Sequence, residues 1–171
     1  QFVRWLAHQR LIALPLNLNS REFSFKVRGQ LRTVPGQEVT LLLREASERT
    51  QLYSLLMLNC GFTQIDVGEL GKNRVELGHR QITHKRFKTE DQPHVPTVTY
   101  SLWPETCELL RKHLNDREDV VNRHGEPLAL VSSDGTPLLV KVYDRQGRLR
   151  KTDAIRSAYN RVITKLKKIC Q

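Results

Sequence analysis

Histidine, cysteine, clustered lysine and arginine, and a serine-rich turn are the side chains of this 171-residue sequence that could do chemistry. The six histidines, at 8, 79, 84, 94, 113 and 124, and the three cysteines, Cys60, Cys107 and Cys170, show no HExxH or CxxC spacing that would bring two ligands onto one face. Neither a metal nor another cofactor is expected. Gly125, Gly135 and Gly147 stand alone, so there is no glycine loop to cradle a nucleotide phosphate. Ser132-Ser133-Asp134-Gly135 sets hydroxyls beside a carboxylate, but it lacks a GxSxG elbow and its Asp-Gly step marks a turn. The cations remain. Lys85, Arg86 and Lys88 crowd together, Arg28 and Arg32 lie in a basic stretch, and Arg145, Arg148, Arg150 and Lys151 form another. Such clusters suit phosphate, which accepts charge-assisted hydrogen bonds from them.

The whole chain leans the same way. It carries 28 Lys plus Arg against 18 Asp plus Glu, a net charge of +10, which repels itself and attracts polyanions. Nucleic acid is the leading partner; a basic surface with no ligand is the bland alternative. A membrane is not, because the charge is spread along the chain instead of gathered on a short amphipathic helix. No run of about 18 apolar residues could span a bilayer. The first fourteen residues carry Arg4, His8 and Arg10 within their apolar pattern, unlike a signal peptide. Three widely spaced cysteines suit a reducing compartment, and a cytoplasmic location is expected.

These side chains need a scaffold, and hydrophobic spacing outlines it. Phe2, Leu6, Leu11 and Ile12 read as the end of a helix stopping near Pro15, and 16–35 as a basic linker without periodicity. Val39, Leu42, Leu43 and Ala46 follow the i, i+3, i+4, i+7 rule of an amphipathic helix. Leu52 to Cys60 is apolar nearly all round and should lie at the centre of the core, with Thr50 as its cap and Gly61 as its end. Thr63 with Asp66 three residues on forms a capping-box pattern opening a short helix through Leu70. The period then drops to about two: 74–77, 81–89 and 94–102 read as three short strands, the last edge-bound or bulged because Pro96 cannot donate. Trp103, Cys107, Leu110 and Leu114 mark a helix with Pro104 in its first turn. Leu128–Val131 and Leu138–Val142 look like a hairpin around the serine turn, 145–151 like a basic loop, and Thr152 or Asp153 like the cap of a helix bearing Ile155, Val162, Leu166 and Ile169. The expected fold is mixed α+β, mainly helical, a helical core with a small three-stranded antiparallel sheet at one edge.

One ordered set stands out: an apolar helix, Gly61-Phe62-Thr63 with Asp66, three strands with Lys88-Thr89-Glu90 at the hairpin, Val95-Pro96, and a helix beyond. This order resembles the catalytic domain of tyrosine recombinases, the phage-integrase family. There the helix ends in Thr-Gly-Leu-Arg with an acid three residues after the arginine, and the hairpin presents a catalytic lysine in Lys-Thr-Gly. The resemblance covers about four fifths of the chain and implies three parts: 1–15 as the end of a core-binding-domain helix, 16–35 as the interdomain linker, and 36–171 as the amino-terminal portion of a catalytic domain. It makes Lys88 the candidate proton donor and Asp66 a support residue, and it puts Thr63 where the family has its leading arginine. Two departures follow. Thr63 is neutral and too short to clamp a phosphate, and none of Tyr53, Tyr100, Tyr143 and Tyr159 lies downstream of a His-x-x-Arg box, as the family's nucleophile does.

The implied function is therefore the DNA-binding portion of a site-specific recombinase or integrase that cannot cleave DNA by itself and whose full-length form would assemble on double-stranded DNA. Arg28, Arg32, Lys85, Arg86, Arg145, Arg148, Arg150 and Lys151 are the expected phosphate contacts. The alternative is a non-catalytic DNA-binding or architectural module on a recombinase scaffold, which Thr63 favours. A basic domain that binds protein is the third possibility.

Overall fold

A helix that is apolar on nearly every side belongs at the centre of a core, and most of the element over Glu48–Cys60 lies there: Leu52 and Leu56 are fully buried and Tyr53 and Cys60 nearly so, while Leu58 stays half exposed. Burying each leucine is worth about 1.5–3 kcal/mol, so this one helix anchors the core. The computed structural model describes residues 2–13, 33–143, 146 and 149–169. It divides into two units, Gln1–Val34 and Pro35–Gln171.

In the first unit, helix α1 (Phe2–His8) ends well before Pro15. Arg10 takes a left-handed φ of 58°, and the Leu11 amide returns to the Leu6 carbonyl at 3.0 Å, so a backbone reversal closes the helix and not the proline.

In the second unit, α2 (Gly36–Glu45) and α3 (Glu48–Cys60) pack together, and α3 also packs against α5 (Pro104–His113) and α6 (Ala154–Ile169). The start of α3 differs from expectation. Ser47 is the N-cap and Thr50 lies inside the first turn, buried, its hydroxyl 3.0 Å from that of Ser47. Gly61 ends the helix at φ 65°, the left-handed conformation that glycine adopts without a Cβ penalty. Cys107 and Leu110 of α5 and Ile155 and Val162 of α6 turn into the same core. Asp153 caps α6, accepting the Arg156 amide at 2.8 Å. Tyr53 and Tyr159 are core residues; the Tyr159 hydroxyl meets that of Ser54 at 2.8 Å.

The small sheet is antiparallel, in the order β1 (Val75–Glu76), β2 (Gln81–His84), β3 (Val98–Ser101), with fully buried Ile82 paired to Val75 and Tyr100. β3 lies at the edge and begins two residues after Pro96, as the missing donor requires. The Asn59 side chain donates to the Ser101 carbonyl at 2.9 Å and accepts the Trp103 amide at 2.7 Å, fastening the end of β3 to α3.

Four further expectations are corrected. β2 does not run to Thr89: it stops at His84, and Phe87–Thr89 form a 3-10 turn, because the Asp66 carboxylate draws the Phe87 amide out of the ladder at 3.0 Å. The short helix α4 (Gln64–Gly68) ends before Leu70, with the Glu69 amide closing its last turn on the Ile65 carbonyl; Gly68 packs close to the Leu139 side chain, which a Cβ there would displace. The 128–131 and 138–142 runs do not form a two-stranded hairpin. Leu128 to Val131 is buried, and its neighbourhood bonds out to Leu70, Asn115 and Val120 in turn, leaving only a Val131–Pro137 bridge around the serine turn. β4 (Leu139–Tyr143) pairs instead with β5 (Leu149–Asp153), so Arg150 and Lys151 sit on a strand of a second sheet, not in a loop. Among the described residues no helix is long and apolar enough to cross a membrane.

Candidate nucleic-acid interface

The turn from α3 into α4 is built by local rules. Gly61 reverses the chain, Phe62 buries its ring, and Thr63 caps α4 in a reciprocal capping box with Asp66. Thr63 is exposed, and its hydroxyl donates to Asp66 Oδ2 at 2.6 Å, so at this position the side chain is a helix cap.

Asp66 does more than close the box. It is 1 % exposed, and its Oδ2 also accepts the Thr63 amide at 2.8 Å. Its Oδ1 accepts the Phe87 amide at 3.0 Å and faces His84 Nε2 at 3.1 Å. One carboxylate thus joins the first turn of α4 to the last residue of β2 and to the turn after it. Burial pushes the Asp66 carboxyl up, but hydrogen bonds from His84, Thr63 and the Phe87 amide outweigh it and hold the group well below the usual carboxylate range. His84 is itself buried, its ring 4.8 Å from that of Phe62, which meets Tyr100 edge-on at 5.4 Å. Because Asp66 can only accept, His84 Nε2 carries the proton, and Nδ1 is left buried without a partner.

The basic turn is held from its other side as well. The Arg123 guanidinium lies 3.3 Å over the Phe87 ring and 3.7 Å from Glu90, and His124 Nε2 is 3.2 Å from the same carboxylate. Within this clamp the Lys85 ammonium donates to the Gln92 carbonyl at 2.8 Å, and Arg86 is exposed. The backbone of Lys88 lies in the 3-10 turn directly after Phe87. The backbone of Lys85, Arg86 and Lys88 therefore flanks Phe87, whose amide the Asp66 carboxylate holds along with Thr63. Arg150 and Lys151 belong to β5, and Arg28, Arg32, Arg145 and Arg148 lie outside the described residues.

No protein-family model and no curated protein matches the sequence. Among solved structures, the chain is similar to one described as the crystal structure of XerA recombinase. The two share 14 % identity and a TM-score of 0.47 over 79 % of this chain and 45 % of that one. The chain thus spans less than half the length of the structure it matches.

His84, Glu90, Arg123 and His124 were not singled out from the sequence. For His84 a signal existed, since strand alternation puts it on the face of Ile82, and a histidine on a buried face needs an acceptor. Nothing local marks Arg123, whose partners lie more than thirty positions away in the chain. Chemically, the assembled site offers cations and a capped helix start fixed on a buried anion. Among the described residues no group of three His, Cys, Asp or Glu could hold a metal ion.

Proposed function

We propose that this chain binds duplex DNA through phosphates, as the amino-terminal portion of a tyrosine-recombinase-like catalytic domain (36–171) preceded by a linker (16–35) and the end of a core-binding helix (1–15). The observation that carries the proposal is the Asp66 carboxylate, whose four hydrogen bonds tie the start of α4 to the turn bearing Lys85, Arg86 and Lys88. A cation contributes most to phosphate binding when its backbone is already in place, because less ordering opposes the contact. In this reading Lys85 and Arg86 engage the backbone phosphates, Asp66 positions them, and Lys88 would protonate the departing 5′ oxygen where a nucleophile is supplied. This chain has no tyrosine downstream of a His-x-x-Arg box, so by itself it holds DNA without cutting it. A second reading, a binding or architectural module without catalysis, is favoured by Thr63, whose hydroxyl caps a helix at the position of the family's phosphate-clamping arginine.

The test is a salt titration of duplex binding. Affinity should fall by about 0.9 log units per log unit of salt for each phosphate neutralised, and Lys85→Ala with Arg86→Ala should flatten the slope by about 1.8. Binding that is absent at low salt, or indifferent to salt, would reject the nucleic-acid reading.

A further inference from the structure

At the far end of α3, a helix length of about 20 Å from Asp66, an open groove of about 440 Å³ runs between the start of the helix, the serine turn and α6. Its walls carry three cations, Arg49, Arg161 and Lys165, and a single carboxylate, Glu45. That carboxylate is already engaged, 3.0 Å from Lys165 and 3.1 Å from Arg44, so the groove's own acid leaves Arg49 and Arg161 uncompensated.

Arg49 and Arg161 line the same groove beside Tyr53. Burial pushes the Tyr53 phenol up, while Arg49 and the charge of Arg161 pull it back down. Arg49 is fixed in place by donating through Nη1 to the Val131 carbonyl, and Arg161 stands exposed on α6. Ser133 adds an exposed hydroxyl from the turn, and buried Leu138 and Val162 form an apolar floor. Planar guanidinium groups present paired N–H donors that match a tetrahedral oxyanion, and the apolar floor suits whatever organic group carries it. The volume is that of an ordinary small-molecule site.

We propose that this groove is a phosphate-binding site, in which Arg49 and Arg161 grip a phosphate group borne by a small phosphomonoester or by a nucleic-acid backbone. The site is separate from the Lys85–Lys88 turn and does not depend on the function assigned to it.

Calorimetric titration of the chain with inorganic phosphate and with adenosine monophosphate, at ionic strength matched with chloride, tests it. Both phosphates should bind saturably where chloride does not, with the monophosphate tighter. Arg161→Ala should weaken both by about tenfold or more, and Arg161→Gln likewise, with thermal melts in chloride unchanged because the residue is exposed. Arg161→Lys should recover part of the loss, since it keeps the charge without the fork. Measuring duplex DNA on the same variants separates the sources. Unchanged duplex affinity beside lost phosphate binding identifies a small phosphomonoester, and loss of both identifies the nucleic-acid backbone; either supports the site. Phosphate that binds no better than chloride, or binds equally well to both Arg161 variants, overturns it.

Discussion

Replacing Asp66 by asparagine separates charge from position in a single atom. In the native chain Oδ1 faces His84 Nε2 and the Phe87 amide, and Oδ2 faces the Thr63 amide and hydroxyl, so all four neighbours donate. Asparagine brings one accepting oxygen and one donating nitrogen, and whichever edge receives the nitrogen sets donor against donor. If the nitrogen faces Thr63, the hydroxyl can rotate to accept, but the Thr63 amide loses its partner. Charge-assisted bonds are worth about 1.5–3 kcal/mol each, and two are lost with one partly recovered, so folding stability should fall by about 2–4 kcal/mol. The loss has a pH signature. The folded Asp66 carboxyl is held below its unfolded value, so its contribution is present above an unfolded pKa of about 4 and declines as pH falls below that. Urea unfolding followed by circular dichroism should show the gap between wild type and Asp66→Asn at full size at neutral pH and shrinking below about pH 4. Duplex binding gives the decisive sign. Removing a negative charge should by itself tighten DNA binding, whereas loosening the Phe87 anchor should weaken it by disordering Lys85 and Arg86. Weaker binding is expected. Stability within about 0.5 kcal/mol of wild type, a gap that does not shrink in acid, or tighter DNA binding would refute the positioning role of Asp66.

Thr63→Arg removes a capping hydroxyl and adds a guanidinium beside the basic turn, so unfolding free energy should drop by about 1 kcal/mol while duplex affinity rises; Thr63→Ser should leave both unchanged. Denaturation and binding isotherms on the two variants check this. Arg123→Lys keeps the charge near Glu90 but loses the planar stack on Phe87, and should weaken duplex binding without changing its salt slope, since no phosphate contact is removed.

Features decided by neighbours in the chain were legible in the sequence. The burial of α3, its end at Gly61, the Thr63–Asp66 capping box and the edge position of β3 all follow from spacing within a few residues. Features decided across the chain were not. Sequence pattern carried β2 on to Thr89, but the strand ends where a carboxylate twenty-one residues away takes the Phe87 amide. The Leu128–Val131 run looked like a strand because it is apolar; it is apolar because it is buried, and its neighbourhood bonds to several separate segments. Strand β5 was hidden behind its own charge, since Arg150 and Lys151 beside Gly147 mimic a loop, and only pairing with β4 reveals the strand. In the site, the cations and Asp66 were visible from composition and spacing, whereas the Phe87–Arg123–Glu90 clamp exists only in three dimensions.

The two bonds made by Asn59 have a further meaning for how the sheet ends. Leu102 donates inward to Arg80, so by strand alternation the Ser101 carbonyl and the Trp103 amide point outward from the open edge. Those are the groups that one residue of an added parallel strand would engage, its N–H on the first and its carbonyl on the second. The Asn59 amide does both, so a side chain from α3 stands in for one residue of a fourth strand. An unsatisfied edge invites pairing with another molecule. With the Ser101 carbonyl and the Trp103 amide satisfied from within, the end of β3 offers an added strand no partner at those two groups.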